Sequence, residues 1–277
     1  MSAVVNIDDV SYKYPSSHRS VIDSFSLELN AGMVCGLLGE NGVGKTTLLG
    51  LMSGILRPTC GIVRLDGADV SKREVDTLSE ILYVPDESVL PHISLANFVR
   101  INAPFYPRFD RKALDDGLEE FGLSSDIKRL DQLSLGQRKK VILCFAMASG
   151  ARLILMDEPT NGLDIPSKQI FRKVVAKSMS DDRLFVISTH QVHDVEQILD
   201  QIVIMDNHKI ILNATEAQLT SKFVFGVQTQ SDLSPDVIYA EPVPGGMAVI
   251  RPKTDVDDET QVNLELLFNA ATKGKLQ

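Results

Sequence analysis

Gly39-Glu40-Asn41-Gly42-Val43-Gly44-Lys45-Thr46 is a complete G-x-x-x-x-G-K-[ST] phosphate-binding loop. Its neighbours give it meaning. Met33-Val34-Cys35-Gly36-Leu37-Leu38 is an unbroken apolar run before it, and Leu48, Leu49, Leu51, Met52, Ile55 and Leu56 follow at helical spacing. A buried strand therefore enters a tight glycine turn and leaves it as a helix. Glycines let successive backbone N–H groups turn toward β- and γ-phosphates, Lys45 adds a point charge that reaches them, and Thr46 offers a hydroxyl to Mg2+. With Thr47 in the same helical turn, Gly39, Asn41, Gly42, Gly44, Lys45, Thr46 and Thr47 are the expected contacts of a nucleoside triphosphate at a helix N-terminus.

Working outward, residues 1–30 alternate as strands do, with Val4, Ile7 and Val10, then Phe25, Leu27 and Leu29, separated by the polar turn Pro15-Ser16-Ser17-His18. Another strand is expected at Cys60-Gly61-Ile62-Val63-Arg64-Leu65. Residues 90–150 carry helical periodicities, including Leu114, Leu118 and Phe121 followed by Gly122. Strand and helix then alternate through Leu153–Met156, Ile170–Met179, Leu184–Ser188, Val195–Leu199 and Ile202–Met205, which predicts a largely parallel sheet covered by helices. From residue 223 the pattern changes: Val237–Tyr239, a Pro244-Gly245-Gly246 turn, Ala248–Ile250, an acidic loop, and a helical run Leu264–Ala271. The expected fold is α/β, with a small α+β appendage at 223–277.

Leu153-Ile154-Leu155-Met156-Asp157-Glu158 is an apolar strand ending in two carboxylates, which brings an acid to the C-terminal edge of a parallel sheet beside the phosphate loop. Asp157 would hold the water shell of Mg2+, and Glu158 would orient or deprotonate an attacking water. Leu133-Ser134-Leu135-Gly136-Gln137, standing upstream, is similar to the signature LSGGQ of ABC transporters. The chain looks like the ATP-binding subunit of such a transporter. Asn161-Gly162-Leu163-Asp164 resembles that family's D-loop, His190 ends a strand as its switch histidine does, and Tyr14 in VSYKYP matches the aromatic that stacks on adenine, with Tyr12 as its competitor.

This resemblance covers residues 3 to 222 and implies a P-loop NTPase fold: a RecA-like parallel core, an N-terminal antiparallel β subdomain and an inserted helical subdomain at about 90–150. It implies an ATPase whose cofactors are ATP and Mg2+. Two copies, or one copy and a related subunit, would close head to tail around two Mg-ATP. Ser134, Gly136 and Gln137 would then grip the partner's nucleotide, Asp164 would lie at the same junction, and His190 would hold the γ-phosphate and water. A separate transmembrane permease would dock on the helical block, where Phe98, Phe105, Tyr106 and Phe109 offer an apolar groove or pack the subdomain.

Two positions depart from the family pattern. Asp86, followed by Glu87, stands where a glutamine is usual; a carboxylate still accepts from a metal-bound water but cannot donate as an amide does. Within the resemblance some exporter-type relatives carry an acid there, so export is the expected direction. Leu135 replaces the first glycine of the signature pair, and its φ is expected to be negative. Apart from the signature, Arg138-Lys139-Lys140 reads as a solvated helix face.

Bulk properties narrow the field. A net charge of −9 and a pI near 5.1 tell against a nucleic-acid binder. Cys35, Cys60 and Cys144 lack metal-ligand spacing and are expected as reduced core residues. MSAVVNIDDVSYKY has no export signal and the longest charge-free apolar run, 141–150, cannot cross a bilayer, so a cytoplasmic protein peripheral to the membrane is expected. A soluble ABC-type ATPase acting on ribosomes is the alternative, although that class usually fuses two cassettes. A DNA-repair relative would need a long coiled coil between Thr46 and Leu133, and no sustained heptads are present.

Overall fold

A computed structural model describes residues 3–15, 19–87, 89–230, 233–258 and 260–276. Ser16, Ser17 and His18 of the expected polar turn lie outside the described residues. Thirteen strands and eight α-helices among those described residues form three sheets.

The first sheet is antiparallel. β1 (Ala3–Tyr12) is flanked by β2 (Ile22–Asn30) and by β4 (Cys60–Leu65), with the short β5 (Ala68–Asp69) at the edge. Val5 and Ile7, then Phe25, Leu27 and Leu29, are buried at a period of two, and a register shift at Asp9, φ 46°, brings Val10 inward as well. Between this sheet and the next lies α1 (Lys45–Met52), whose Leu48, Leu49, Leu51 and Met52 bury on every side, packed with Leu37, Leu155 and Val186.

The central sheet has the order β10-β9-β3-β8-β7-β6. Its members are β3 (Met33–Leu38), β6 (Ile81–Val84), β7 (Leu153–Asp157), β8 (Leu184–Thr189), β9 (Gln201–Asp206) and β10 (Lys209–Thr215). All neighbours are parallel except β9 and β10. Covered on both faces, β7 and β8 are wholly buried along their length, which is why their sequences read as apolar runs rather than alternations. Because β3, β8, β7 and β6 are consecutive neighbours, the segments that follow them emerge side by side at one edge.

After α2 (Val75–Leu78) and β6, the chain forms α3 (Leu95–Asn102), α4 (Arg111–Glu120) and α5 (Leu135–Ala148). This is the helical block expected near 90–150. Phe98, Tyr106 and Phe109 set their rings against Phe145, at centroid separations of 5.2, 6.0 and 5.2 Å, so these three pack the block. Phe105 remains exposed. α6 (Ile165–Ser178) then returns the chain to β8.

After α7 (Glu216–Lys222), a third sheet β11-β13-β12 is built from β11 (Phe223–Gln228), β12 (Tyr239–Val243) and β13 (Gly246–Pro252), and α8 (Leu264–Thr272) covers it. The strand expected over Val237–Tyr239 begins only at Tyr239, and Val237 falls in the preceding turn. Ile250, Leu264 and Leu267 bury in the same apolar cluster as Phe185 and Leu199 of the main body. The run expected at Val195–Leu199 forms short 3-10 turns.

All three cysteines are free, and the expectation of three core thiols fails at Cys60. It opens β4, where its side chain meets solvent. Burial pushes the thiols of Cys35 and Cys144 up to about 12. A thiol reagent applied to the native protein should therefore label one site, Cys60, and mass spectrometry finding Cys35 or Cys144 modified at comparable rate would contradict this packing.

A candidate nucleotide site at the sheet edge

The phosphate loop closes on Gly44, whose φ of 118° no side-chain-bearing residue adopts readily, and which caps the first turn of α1. A Cβ at Gly39 would lie 2.8 Å from the Met205 carbonyl oxygen, so that position too requires glycine. Lys45 is 6% exposed and curls over the loop, its Nζ donating to the carbonyls of Gly39 (2.6 Å) and Glu40 (3.2 Å). Burial pulls this ammonium below its ordinary pKa, opposed by the nearby carboxylates of Glu158 and Asp157.

Asp157 ends β7 and is 4% exposed. Thr46 Oγ1 donates to its Oδ2 at 2.6 Å, and the Ser188 hydroxyl donates to Oδ1. Burial, together with this carboxylate, pushes the neighbouring Tyr83 phenol well above its usual range. Glu158, at φ 44°, accepts from Thr189 Oγ1 (3.1 Å) and the His190 backbone N–H (3.1 Å). His190 Nδ1 lies 2.7 Å from Glu158 Oε1, and Lys45 Nζ lies 3.9 Å from it. Base candidate, cation and histidine thus meet around one carboxylate.

The loop, Asp157 and Glu158 border a cavity of about 380 Å3 lined by Tyr14, Asn41, Gly42, Gly44, Lys45, Thr46, Thr47, Asp86, Asp157 and Glu158, and the expected His190 stands outside this lining, joined to it through Glu158. Tyr14 sits at its mouth with its hydroxyl 3.0 Å from Thr47 Oγ1, whereas Tyr12 is buried and meets Tyr14 edge to face. Tyr14, not Tyr12, therefore faces the cavity. No group of three His, Cys, Asp or Glu able to hold a metal occurs among the described residues. Mg2+ does not require one, since it takes one or two carboxylates, a hydroxyl and phosphate oxygens, and the Thr46–Asp157 pair is such a donor set. Residues and ligand chemistry fit.

Four expected site residues lie elsewhere. Ser134 caps α5, its Oγ accepting from the Gln137 N–H (3.3 Å) while Gln137 Oε1 accepts from the Ser134 N–H (3.0 Å). Ser134, Leu135 and Gln137 are exposed, and Gly136 is half-exposed. Leu135 opens the helix without a positive φ, as expected. Asp164 caps α6; hydrogen bonds from Ser167 hold its carboxyl below the usual range. The signature corner is thus open to solvent and is not part of the lining of this chain's own cavity.

Several participants were not singled out from the sequence. Lys139 is a correction: it is 4% exposed, not on a solvated face, and Arg138 folds back onto the carbonyls of Leu133 and Asp131. The signal was available, because Leu143 and Ala146 lie four and seven residues on and mark the buried stripe. Gln191, joined at 3.2 Å to Asn161 of the Asn161–Asp164 stretch, is a loop residue that carries no periodicity to betray it.

The ABC transporter family model matches residues 22–161, half of the chain, from β2 through the phosphate loop and signature to Asn161. The chain belongs to the ABC transporter family. It is an ATP-binding domain of that family, similar at 30% identity to the arabinose import ATP-binding protein AraG of Paraburkholderia xenovorans, over 78% of this chain and 43% of that protein. It is 28% identical to the ABC transporter ATP-binding protein NatA of Bacillus subtilis, over 75% of this chain and 88% of NatA. The chain thus spans less than half the length of the arabinose relative. A solved ATP-binding subunit of an ABC transporter, 23% identical, superposes with a TM-score of 0.71 over 76% of this chain and 90% of that one, a likeness of fold. Among the described residues no helix is long and apolar enough to cross a membrane.

Proposed function

We propose that this chain is the subunit that binds and hydrolyses ATP, dimerises around two Mg-ATP, and powers transport through a separate transmembrane permease. The observation that carries the reading is the convergence of the phosphate loop, His190, Asp157–Glu158 and Asp86 at the ends of four neighbouring parallel strands. Residues 1–222 act as the ATP-binding domain, and 223–277 as an accessory region.

In this reading the backbone N–H groups of the loop and Lys45 hold the phosphates, and Tyr14 stacks on adenine. Thr46, Asp157 and Asp86 would hold Mg2+, directly or through water, and the ion would supply positive charge against the phosphates. Glu158 takes the proton of the attacking water, oriented by His190 through the 2.7 Å contact. Ser134, Gly136 and Gln137, open to solvent, complete a second copy's site, which is why dimerisation is part of the proposal. Exposed Ile101 and Phe105 on the helical block support docking of a permease at the cytoplasmic membrane face. Export is the direction we assign, on Asp86; the arabinose import relative stands on the other side.

Affinity purification of the tagged chain from solubilised membranes is the test. Co-purification of a polytopic membrane protein is expected. Salt-stable sedimentation with ribosomes, and no membrane partner, would replace this reading with that of a soluble ATPase.

A further inference from the structure

Lys139 lies on α5 barely more than one turn beyond the signature corner and is buried. Its Nζ donates to the Asp86 carbonyl (2.9 Å), Asp86 Oδ1 (3.1 Å) and the Glu158 carbonyl (2.8 Å). All three donors of an ammonium are thereby used. Lysine is seldom buried unless paired, and here the pairing reaches two segments that border the nucleotide cavity.

The Glu158 peptide needs such a hold. Its φ of 44° is a left-handed conformation that a non-glycine residue keeps only when its surroundings impose it. The Glu158 N–H donates to the Ser188 carbonyl (3.0 Å), and its carbonyl accepts from the Asn161 N–H (3.1 Å) as well as from Lys139. Lys139 is the charged member of that set, and charge-assisted bonds are the strong ones. A second path runs from Asp86 through Asn161, whose Nδ2 lies 3.4 Å from both carboxylate oxygens, to Gln191 beside His190. One cation on the signature helix therefore touches the backbone of the base candidate and the loop opposite it.

We propose that Lys139 is a positioning residue for ATP hydrolysis: it fixes the main chain of Glu158, and so the aim of its carboxylate, and makes that aim depend on the seating of α5. This rests on the hydrolytic role assigned to Glu158. Asp86, standing where the family usually has glutamine, is the countercharge that lets an ammonium occupy this place.

The test is Lys139→Met, which keeps length and volume but removes the donors. The expected result is a kcat lower by on the order of a hundredfold, unchanged ATP affinity by calorimetry, and faster amide exchange across Glu158–Asn161. A wild-type kcat, or a loss traced wholly to weaker ATP binding, overturns the proposal. If the bare Asp86 prevents folding, the Asp86→Asn/Lys139→Met double variant removes both charges. Its kcat is expected well below that of Asp86→Asn alone, and equal values overturn the proposal. Glu158→Gln, run alongside, separates the two claims: full activity there defeats the underlying role of Glu158, whereas an inactive Glu158→Gln beside a fully active Lys139→Met defeats only the positioning role.

Discussion

Glu158→Gln binds ATP and hydrolyses it about 10²- to 10⁴-fold more slowly than the unaltered protein. The amide preserves the shape of the side chain: with its carbonyl oxygen in the place of Oε1 it still accepts from the His190 N–H, and its NH2, in the place of Oε2, donates to the Thr189 hydroxyl, so the fold survives. What disappears is an oxygen able to take a proton. With turnover removed and binding intact, the ATP-bound dimer accumulates, and size exclusion in Mg-ATP should show twice the mass of the nucleotide-free protein. Undiminished phosphate release would remove Glu158 from the mechanism. A species that stays monomeric at saturating ATP would refute assembly instead.

Lys45→Ala acts one step earlier, on binding. The ammonium is nearly enclosed, tied to two loop carbonyls, and 3.9 Å from Glu158 Oε1, so it is held at the point where phosphate charge arrives. Losing one charge-assisted hydrogen bond, about 1.5–3 kcal/mol, weakens ATP binding by roughly ten- to a hundred-and-fifty-fold. Calorimetry with the non-hydrolysing Glu158→Gln background isolates this term. An affinity equal to that of the parent would mean the phosphates bind elsewhere.

Much of this architecture was legible because the central strands are covered on both faces and so spell continuous apolar runs, with glycines where the chain must turn. The phosphate loop and the two carboxylates could be placed at one edge because parallel strands deliver their C-terminal ends together. Position relative to solvent was harder. Arg138-Lys139-Lys140 looks uniform as a charge run, yet a helix turns 100° per residue, and the middle lysine falls on the side of Leu143. Tyr12 and Tyr14 share a strand face by count, but β1 stops at Tyr12, and the ring beyond the strand end is free to reach Thr47. Cys60 carried no sign of its exposure, since its neighbours Ile62 and Val63 are apolar.

Residues beyond 222 pack against the main body. Ile250, Leu264 and Leu267 share a dry interior with Phe185 and Leu199, and His193, three residues past His190, reaches Glu265 of α8 at 2.9 Å. With that seam shared, residues 223–276 are expected to unfold with the sheet they cover in one calorimetric transition. Through the His193–Glu265 contact, the helix α8 is joined to the loop that follows His190.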